Sequence, residues 1–409
     1  MIFNKLLKKI KKVVQFKLLI LLYLIFSNSM LVIGQVGQPL KAWSEGYLDI
    51  HHINTGLGDA AYIIMPDGTT MIIDAGDTSL IERPPLFKAP QKPSAMRPAG
   101  EWMGRYILER IPSSADPQID YALITHFDRD HIAGVPDLIK QIPVKNLYFR
   151  KWLGYQTISE HSQEFPKEYF EIAKIADELG IQMNQFEAGR KDQFLLKNYP
   201  DKYPQFQIRN LAVNGMAWTG QGTEIRSRFP DSNQISENMK STALVLRYGN
   251  FSYFTGGDLY EPMEQAIAWL IGATDIHVTN HHGSEANPFF LQILRPRVHI
   301  VQVWDSIQPR PQVFDRLLDQ SIYPGHRDIF LTNGMWKGRR GNLANWFDEE
   351  TAKRYEEELM PAVTADQGHI VIRVDPSGDQ YKIYILDDSD EKFIVKSIHG
   401  PYKSIKYLK

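Results

Sequence analysis

The sequence predicts an α/β fold on three observations: an opening β-meander with tight turns, an apolar strand that runs into a ligand-rich loop, and a second half in which strands and helices alternate. With 409 residues, 43% hydrophobic and 23% charged, the chain can bury a sizeable core, which excludes collagen-like, low-complexity and wholly disordered classes. It contains no cysteine, so disulfide scaffolds, thiolate zinc sites and thiol nucleophiles are excluded. A metal site here must be built from His, Asp and Glu.

The elements follow in order. Tyr47 to Ile53 alternates as a strand, Asn54-Thr55-Gly56-Leu57-Gly58-Asp59 is a turn, and Ala60 to Met65 and Thr70 to Asp74 are strands around Pro66-Asp67-Gly68. Residues 78 to 98 read as a Pro-rich surface insertion, and Trp102 to Ile111 as a helix. Ile119 to Thr125 is a buried strand, followed by a helix to about Gln141 and a strand at Val144 to Phe149. Between 151 and 237 only a helix at Lys167 to Leu179 is legible. Gly249-Asn250 joins strands Ala243 to Tyr248 and Phe251 to Thr255 as a hairpin. Helices at Glu261 to Leu270, Asn287 to Leu294 and Gln312 to Asp319 then alternate with strands at Asp275 to Thr279, Val298 to Val303 and Ile329 to Thr332. An inserted basic turn, an amphipathic helix at Glu349 to Leu359 and a hairpin of Ile370 to Val374 with Lys382 to Leu386 close the body.

Residues 1 to 34 differ from the rest. Lys5, Lys8, Lys9, Lys11, Lys12 and Lys17 precede the apolar run Leu18 to Phe26, with no acidic residue, and a small residue, Gly34, stands before Gln35. This is the pattern of a secretory signal cleaved near Gln35, with an uncleaved N-terminal anchor as the alternative. Both place the remainder outside the cytoplasm, periplasmic or extracellular. Without those lysines 40 basic residues face 48 acidic ones, a net −8, which does not support binding of nucleic acid by charge alone. No second apolar stretch reaches spanning length, which argues against a multi-span membrane region.

The strongest chemical signal is His126-x-Asp128-x-Asp130-His131, four metal-ligand residues in six, at the end of a buried strand. Alternation in an extended segment puts His126, Asp128 and Asp130 on one side, and the break into the helix brings His131 round. Asp258 follows Gly256-Gly257 at a strand end, where it reads either as a helix cap or as a carboxylate bridging two cations. His281 and His282 are adjacent, so their side chains diverge: one enters the ligand set, with His282 favoured because it precedes Gly283, and the other orients or donates a proton. Asp74 is expected to hold a ligand histidine through its second nitrogen, and Asp59 either does the same or caps a turn. His51, His52, His277, His299, His326 and His399 read as structural, and His161 lies in a polar stretch unsuited to a ligand.

These motifs, with Asn54 to Ala60, Asn238-x-x-Ser241, Thr255-Gly256-Gly257-Asp258, His281-His282-Gly283-Ser284 and Asp366-Gln367-Gly368-His369-Ile370, resemble the metallo-β-lactamase superfamily over about residues 47 to 387. Asp128 stands where the common form has a second His, a variant similar to the extracellular hydrolase-like domain of the ComEC DNA-internalisation proteins and their stand-alone relatives. The sequence departs from that pattern at Pro309-Arg310-Pro311, where the family places His-Pro, and in lacking a convincing middle His.

The resemblance implies an αββα sandwich with insertions: a hydrolase domain over 45 to 398 and a basic tail at 399 to 409. It also implies a ligand set of His126, Asp128, Asp130, His131, Asp258 and His281 or His282, with Asp130, His281 and His282 as catalytic candidates. The expected ions are Zn²⁺, one or two, with Mn²⁺ or Fe²⁺ as competitors because Asp128 adds oxygen. The expected function is exported hydrolysis of a phosphodiester or related ester by a metal-bound hydroxide. The alternative is a non-catalytic metal-binding or DNA-uptake accessory protein.

Overall fold

A computed structural model describes residues 35–84, 87–113, 117–152, 165–229, 235–334 and 348–405. The expectations for the leader (1 to 34), for His161 and for the basic turn at 337 to 340 lie outside the described residues.

Among the described residues two mixed sheets form. The first contains β1 (Leu48–His52), β2 (Ala61–Ile64), β3 (Thr70–Ile73), β4 (Ile119–Ile124), β5 (Val144–Phe149), β6 (Gln182–Gln185), β15 (His369–Val374), β16 (Gln380–Leu386) and β17 (Val395–Lys403), in the order β17-β16-β15-β1-β2-β3-β4-β5-β6. The second contains β7 (Phe206–Val213), β8 (Met216–Trp218), β9 (Ile225–Ser227), β10 (Ala243–Tyr248), β11 (Phe251–Thr255), β12 (Ile276–Val278), β13 (Val298–Val301) and β14 (Asp328–Leu331), in the order β14-β13-β12-β11-β10-β7-β8-β9.

Alternation along the strands divides the core into layers. Ile50, Ile63, Met71 and Leu123 of the first sheet meet Leu244, Leu246, Tyr253 and Ile300 of the second in one apolar layer. The intervening residues face outward: Ile72, Ala122 and Ile124 pack on α1 (Ala99–Leu108), α3 (Val135–Gln141) and α4 (Lys167–Leu179). On the far side Val245 and Phe254 receive α5 (Glu261–Ile271) and α6 (Pro288–Leu294), and Val301 and Ile329 receive α7 (Pro311–Leu318). The fold is therefore an αββα sandwich.

β3, β4, β5 and β6 run parallel, as do β11 to β14. Parallel strands deliver all their carboxyl ends to one edge, so the loops after β4, β11, β12 and β13 open at the same rim.

Three segments differ from expectation. The stretch 151 to 237 also holds β7, an eight-residue strand mostly buried toward its end, and the short strands β6, β8 and β9, of which β6 and β9 have no buried residue. The helix expected over Glu349 to Leu359 is α8 (Glu349–Arg354) followed by a wider turn, Tyr355–Leu359. The tail expected from 399 begins inside β17, which continues to Lys403 by pairing with β16.

Candidate metal centre

The rim built by β4, β11 and β12 gathers the chemistry. β4 ends at Ile124, and the chain passes through Thr125 into His126 and the short helix α2 (Arg129–Ile132), whose first turn presents Asp130 and His131. The loop is seated by glycines: a Cβ at Gly76 would lie 1.9 Å from the Asp130 carbonyl oxygen, and one at Gly58 2.3 Å from it. That close approach needs glycine whatever the backbone angle. Asp258 follows β11 across Gly257, which has φ +54 and packs on Thr125, and the Ser241 hydroxyl accepts from the Asp258 N–H at 3.1 Å.

After β12 the backbone turns left-handed at two consecutive histidines, His281 (φ 52, ψ 46) and His282 (φ 54, ψ 33). Non-glycine residues pay for that conformation, and the pair occurs together with Asp74 (φ 60) at the same rim. The twist separates the two rings, whose centroids lie 6.2 Å apart. His282 is buried among the carboxylates, whereas His281 keeps 21% of its side chain exposed at the mouth, with Tyr260 stacked on it.

One ligand atom from each of Asp130, His131, Asp258 and His282 lies within 4.8 Å of the others. The His282 Nε2 is 2.9 Å from Asp130 Oδ2 and 3.5 Å from Asp258 Oδ1, and the His131 Nε2 is 3.1 Å from Asp258 Oδ1. A looser group surrounds the other Asp258 oxygen. His126 Nε2 and His281 Nε2 each lie 3.8 Å from Asp258 Oδ2, and His126 Nε2 lies 3.6 Å from Asp128, whose side chain is 45% exposed.

The residues behind the rings orient them. Asp74 approaches His131 Nδ1 at 2.8 Å while accepting from the Thr125 N–H (2.7 Å) and hydroxyl (2.8 Å). Asp59 lies 3.0 Å from His282 Nδ1, and the Gln302 carbonyl oxygen 3.1 Å from it. Both carboxylates thus hold a histidine by the nitrogen that faces away from the cluster, an arrangement that turns the other nitrogen inward.

This chemistry fits a cation. The buried His126 Nε2 has no hydrogen-bond partner among the described residues. Burial opposes charge on every member, yet the cluster is charged. Asp258, Asp74 and Asp130 push His131 well above the usual histidine range, and Asp258 and Asp59 do the same to His282. Against burial, His131 and His282 hold Asp130 down to about 2, and His282 and His131 hold Asp258 well below the carboxylate range. The carboxylates demand positive charge, and in the bare protein the imidazoles supply it with protons. A divalent cation would supply it with coordinate bonds.

Sequence reasoning gave no role to Asn238, Thr125 or Gln302. The Asn238 amide lies 3.1 Å from His281 Nε2 and 3.4 Å from Asp258 Oδ2. Its signal was the Asn238-x-x-Ser241 motif, whose serine supports Asp258. Thr125 and Gln302 carried no signal beyond their place at strand ends. His51, His52, His277 and His299 are buried on β1, β12 and β13.

A family model of the metallo-β-lactamase superfamily matches residues 54–222, which include the β4 loop. Over that segment the chain is similar to the metallo-β-lactamase superfamily. Among curated proteins the chain is similar to ComE operon protein 3 of Bacillus subtilis (strain 168), 26% identical over 287 residues, covering 68% of this chain and 31% of that protein. The chain therefore spans about a third of that relative's length. Similar solved structures include a metallo hydrolase from the archaeon Ignicoccus hospitalis (11% identity, 80% of this chain and 98% of that one, TM-score 0.33). Another is a diiron β-hydroxylase from Streptomyces venezuelae (12% identity, 82% of this chain and 55% of that one, TM-score 0.34). The match to the superfamily model and the clustered ligand residues support metal-dependent hydrolase chemistry as the general class. Among the described residues, no helix is long and apolar enough to cross a membrane.

Proposed function

We propose that this protein is an exported metal-dependent hydrolase acting on a phosphodiester or related ester. The observation that carries the reading is the convergence of Asp130, His131, Asp258 and His282 from both sheets on one point, with His126 and Asp128 on the other side of Asp258. Export rests on the lysine-rich apolar leader of residues 1 to 34.

In this reading Asp130, His131, Asp258 and His282 would hold one cation, and His126 and Asp128 beside Asp258 would hold another. Zn²⁺ suits the imidazoles, and Mn²⁺ or Fe²⁺ the three carboxylates. Bound there, such ions would make water more acidic and polarise the scissile ester. The chain's own groups do the rest. Asp74 and Asp59 fix the ring orientations of His131 and His282. Asp130, whose carboxylate is held ionised, would orient the attacking water beside the cations. Burial holds the His281 pKa down, so at neutral pH its ring is uncharged and accepts from Asn238, which sets it to orient a substrate oxygen at the mouth.

The test is hydrolysis of bis-p-nitrophenyl phosphate, a lactone and a β-lactam by protein loaded with Zn²⁺ or Mn²⁺. Asp130→Ala and His131→Ala should each lose most bound metal and at least about a hundredfold in activity, with unchanged circular dichroism. Wild-type rates in either variant would overturn the site. Tight metal without turnover on any ester would favour a binding role.

A further inference from the structure

Resting on the hydrolase reading, we infer that Arg310 is the anion-recognition residue of this site, its guanidinium receiving the non-bridging oxygens of a phosphate ester and selecting anionic over neutral esters. The need for such a group follows from charge. Asp59, Asp74, Asp128, Asp130 and Asp258 bring five negative charges to the centre, and two divalent cations would bring only four positive ones. An anionic substrate therefore requires a further cation at the mouth.

The nearby basic side chains are mostly committed. Arg129 pairs with Glu168, Arg150 and Lys240 with Glu237, and Arg83 with Asp305. Arg310 is exposed, and its guanidinium has no carboxylate or carbonyl partner among the described residues. Its backbone is nonetheless fixed beside the histidine pair. The Arg310 N–H donates to the Gly283 carbonyl at 2.9 Å, and Pro309 packs so closely that a Cβ on Gly283 would lie 2.5 Å from its Cβ. Gly283 directly follows the ligand histidine His282, so the Arg310 backbone stands beside the metal cluster.

Helix stability does not explain the residue. Arg310 occupies the N-cap of α7, makes no side-chain cap, and sets a cation at the positive end of the helix dipole. Asn, Asp, Ser or Thr would serve the helix better there, so the local choice is unfavourable unless the charge is used elsewhere. The bidentate fork of arginine matches a phosphate, and the helix start adds partial positive charge on the same side of the chain.

The experiment compares Arg310→Ala and Arg310→Lys with wild type, all metal-loaded and matched for metal content and melting temperature. Inorganic phosphate binding by calorimetry should weaken about tenfold or more in Arg310→Ala and recover in part in Arg310→Lys. Hydrolysis of bis-p-nitrophenyl phosphate should fall by a similar factor, mainly through KM, while the neutral p-nitrophenyl acetate is unaffected. Unchanged phosphate affinity, no phosphate binding by wild type, or an equal loss on both esters would each overturn the inference. Arg310-dependent phosphate binding without hydrolysis of any ester would overturn the hydrolase reading and leave the anion site standing.

Discussion

Glu264 lies beneath the histidine pair, fully buried, and shows how a single group couples the site to pH. Its carboxylate accepts from the Asn280 amide at 2.7 Å and from the Asn287 N–H at 2.6 Å, bracing the two ends of the loop that carries His281 and His282. Burial pushes its pKa up to about 8 from an ordinary 4.5. The folded protein therefore holds a proton that the unfolded chain releases near 4.5, and stability falls as pH rises from there through 8. Glu264→Gln removes that titration and can donate to the unpartnered Asn280 Oδ1 once the asparagine amide turns over. Relative to wild type, the variant should gain about 4 kcal/mol between pH 5 and pH 9 in denaturant titrations. A pH-independent difference would show that Glu264 is already ionised. Asp74 belongs to the same scale. It accepts from the Thr125 N–H and hydroxyl and lies against His131 Nδ1, so Asp74→Asn should weaken metal binding about 10- to 100-fold while leaving the fold intact, read by competition with a chromogenic chelator. The sequence made Asp74 legible because it follows a strand and precedes Ala75-Gly76. It left Thr125 and Gln302 unreadable because their roles are fixed only when strands from both sheets meet.

Elements carry the same lesson. β10 and β11 occupy the residues that alternation and the Gly249-Asn250 turn mark out, because both are buried and tightly joined. β6 and β9 escaped because edge strands need bury only one face: Gln182 to Gln185 has one apolar residue, Met183, and Ile225 to Ser227 is wholly exposed, while β8 is only three residues long. β17 was hidden by Gly400-Pro401, which reads as a turn but sits in a strand at the sheet edge, where an absent N–H costs least. The β4 loop is the element whose placement matters most to the site. Gly76 approaches the Asp130 carbonyl so closely that Gly76→Ala must move backbone rather than a flexible side chain, since the added methyl would sit 1.9 Å away. The variant should lose about 2 to 4 kcal/mol of stability, and its residual folded fraction should bind metal weakly. Wild-type affinity in a folded Gly76→Ala protein would mean the loop has freedom to shift.

At the scale of the molecule the centre joins two sheets whose cores meet mainly through apolar side chains. Asp130 and His131 come from the first sheet, Asp258 and His282 from the second, and Asp258 faces both ligand groups. A cation held by all four staples the rims together, so metal should stabilise folding by mass action, about 2.7 kcal/mol when free metal is 100 times its Kd. The two groups are unequal. The quartet of Asp130, His131, Asp258 and His282 is compact and buried, whereas His126 stands 3.8 Å from the shared carboxylate and Asp128 is half-exposed. A site with fewer and looser protein donors completes its shell with water and exchanges faster. Gentle chelation should therefore remove one equivalent first with little change in melting temperature, and the second equivalent only with a marked fall in it. Activity falling with the first equivalent would assign the attacking water to the shared side of Asp258. Titrating the metal-free protein while following bound metal, melting temperature and turnover together separates the cases. Full turnover restored by a single equivalent would leave the quartet as a one-metal catalyst and His126 and Asp128 as groups that orient substrate.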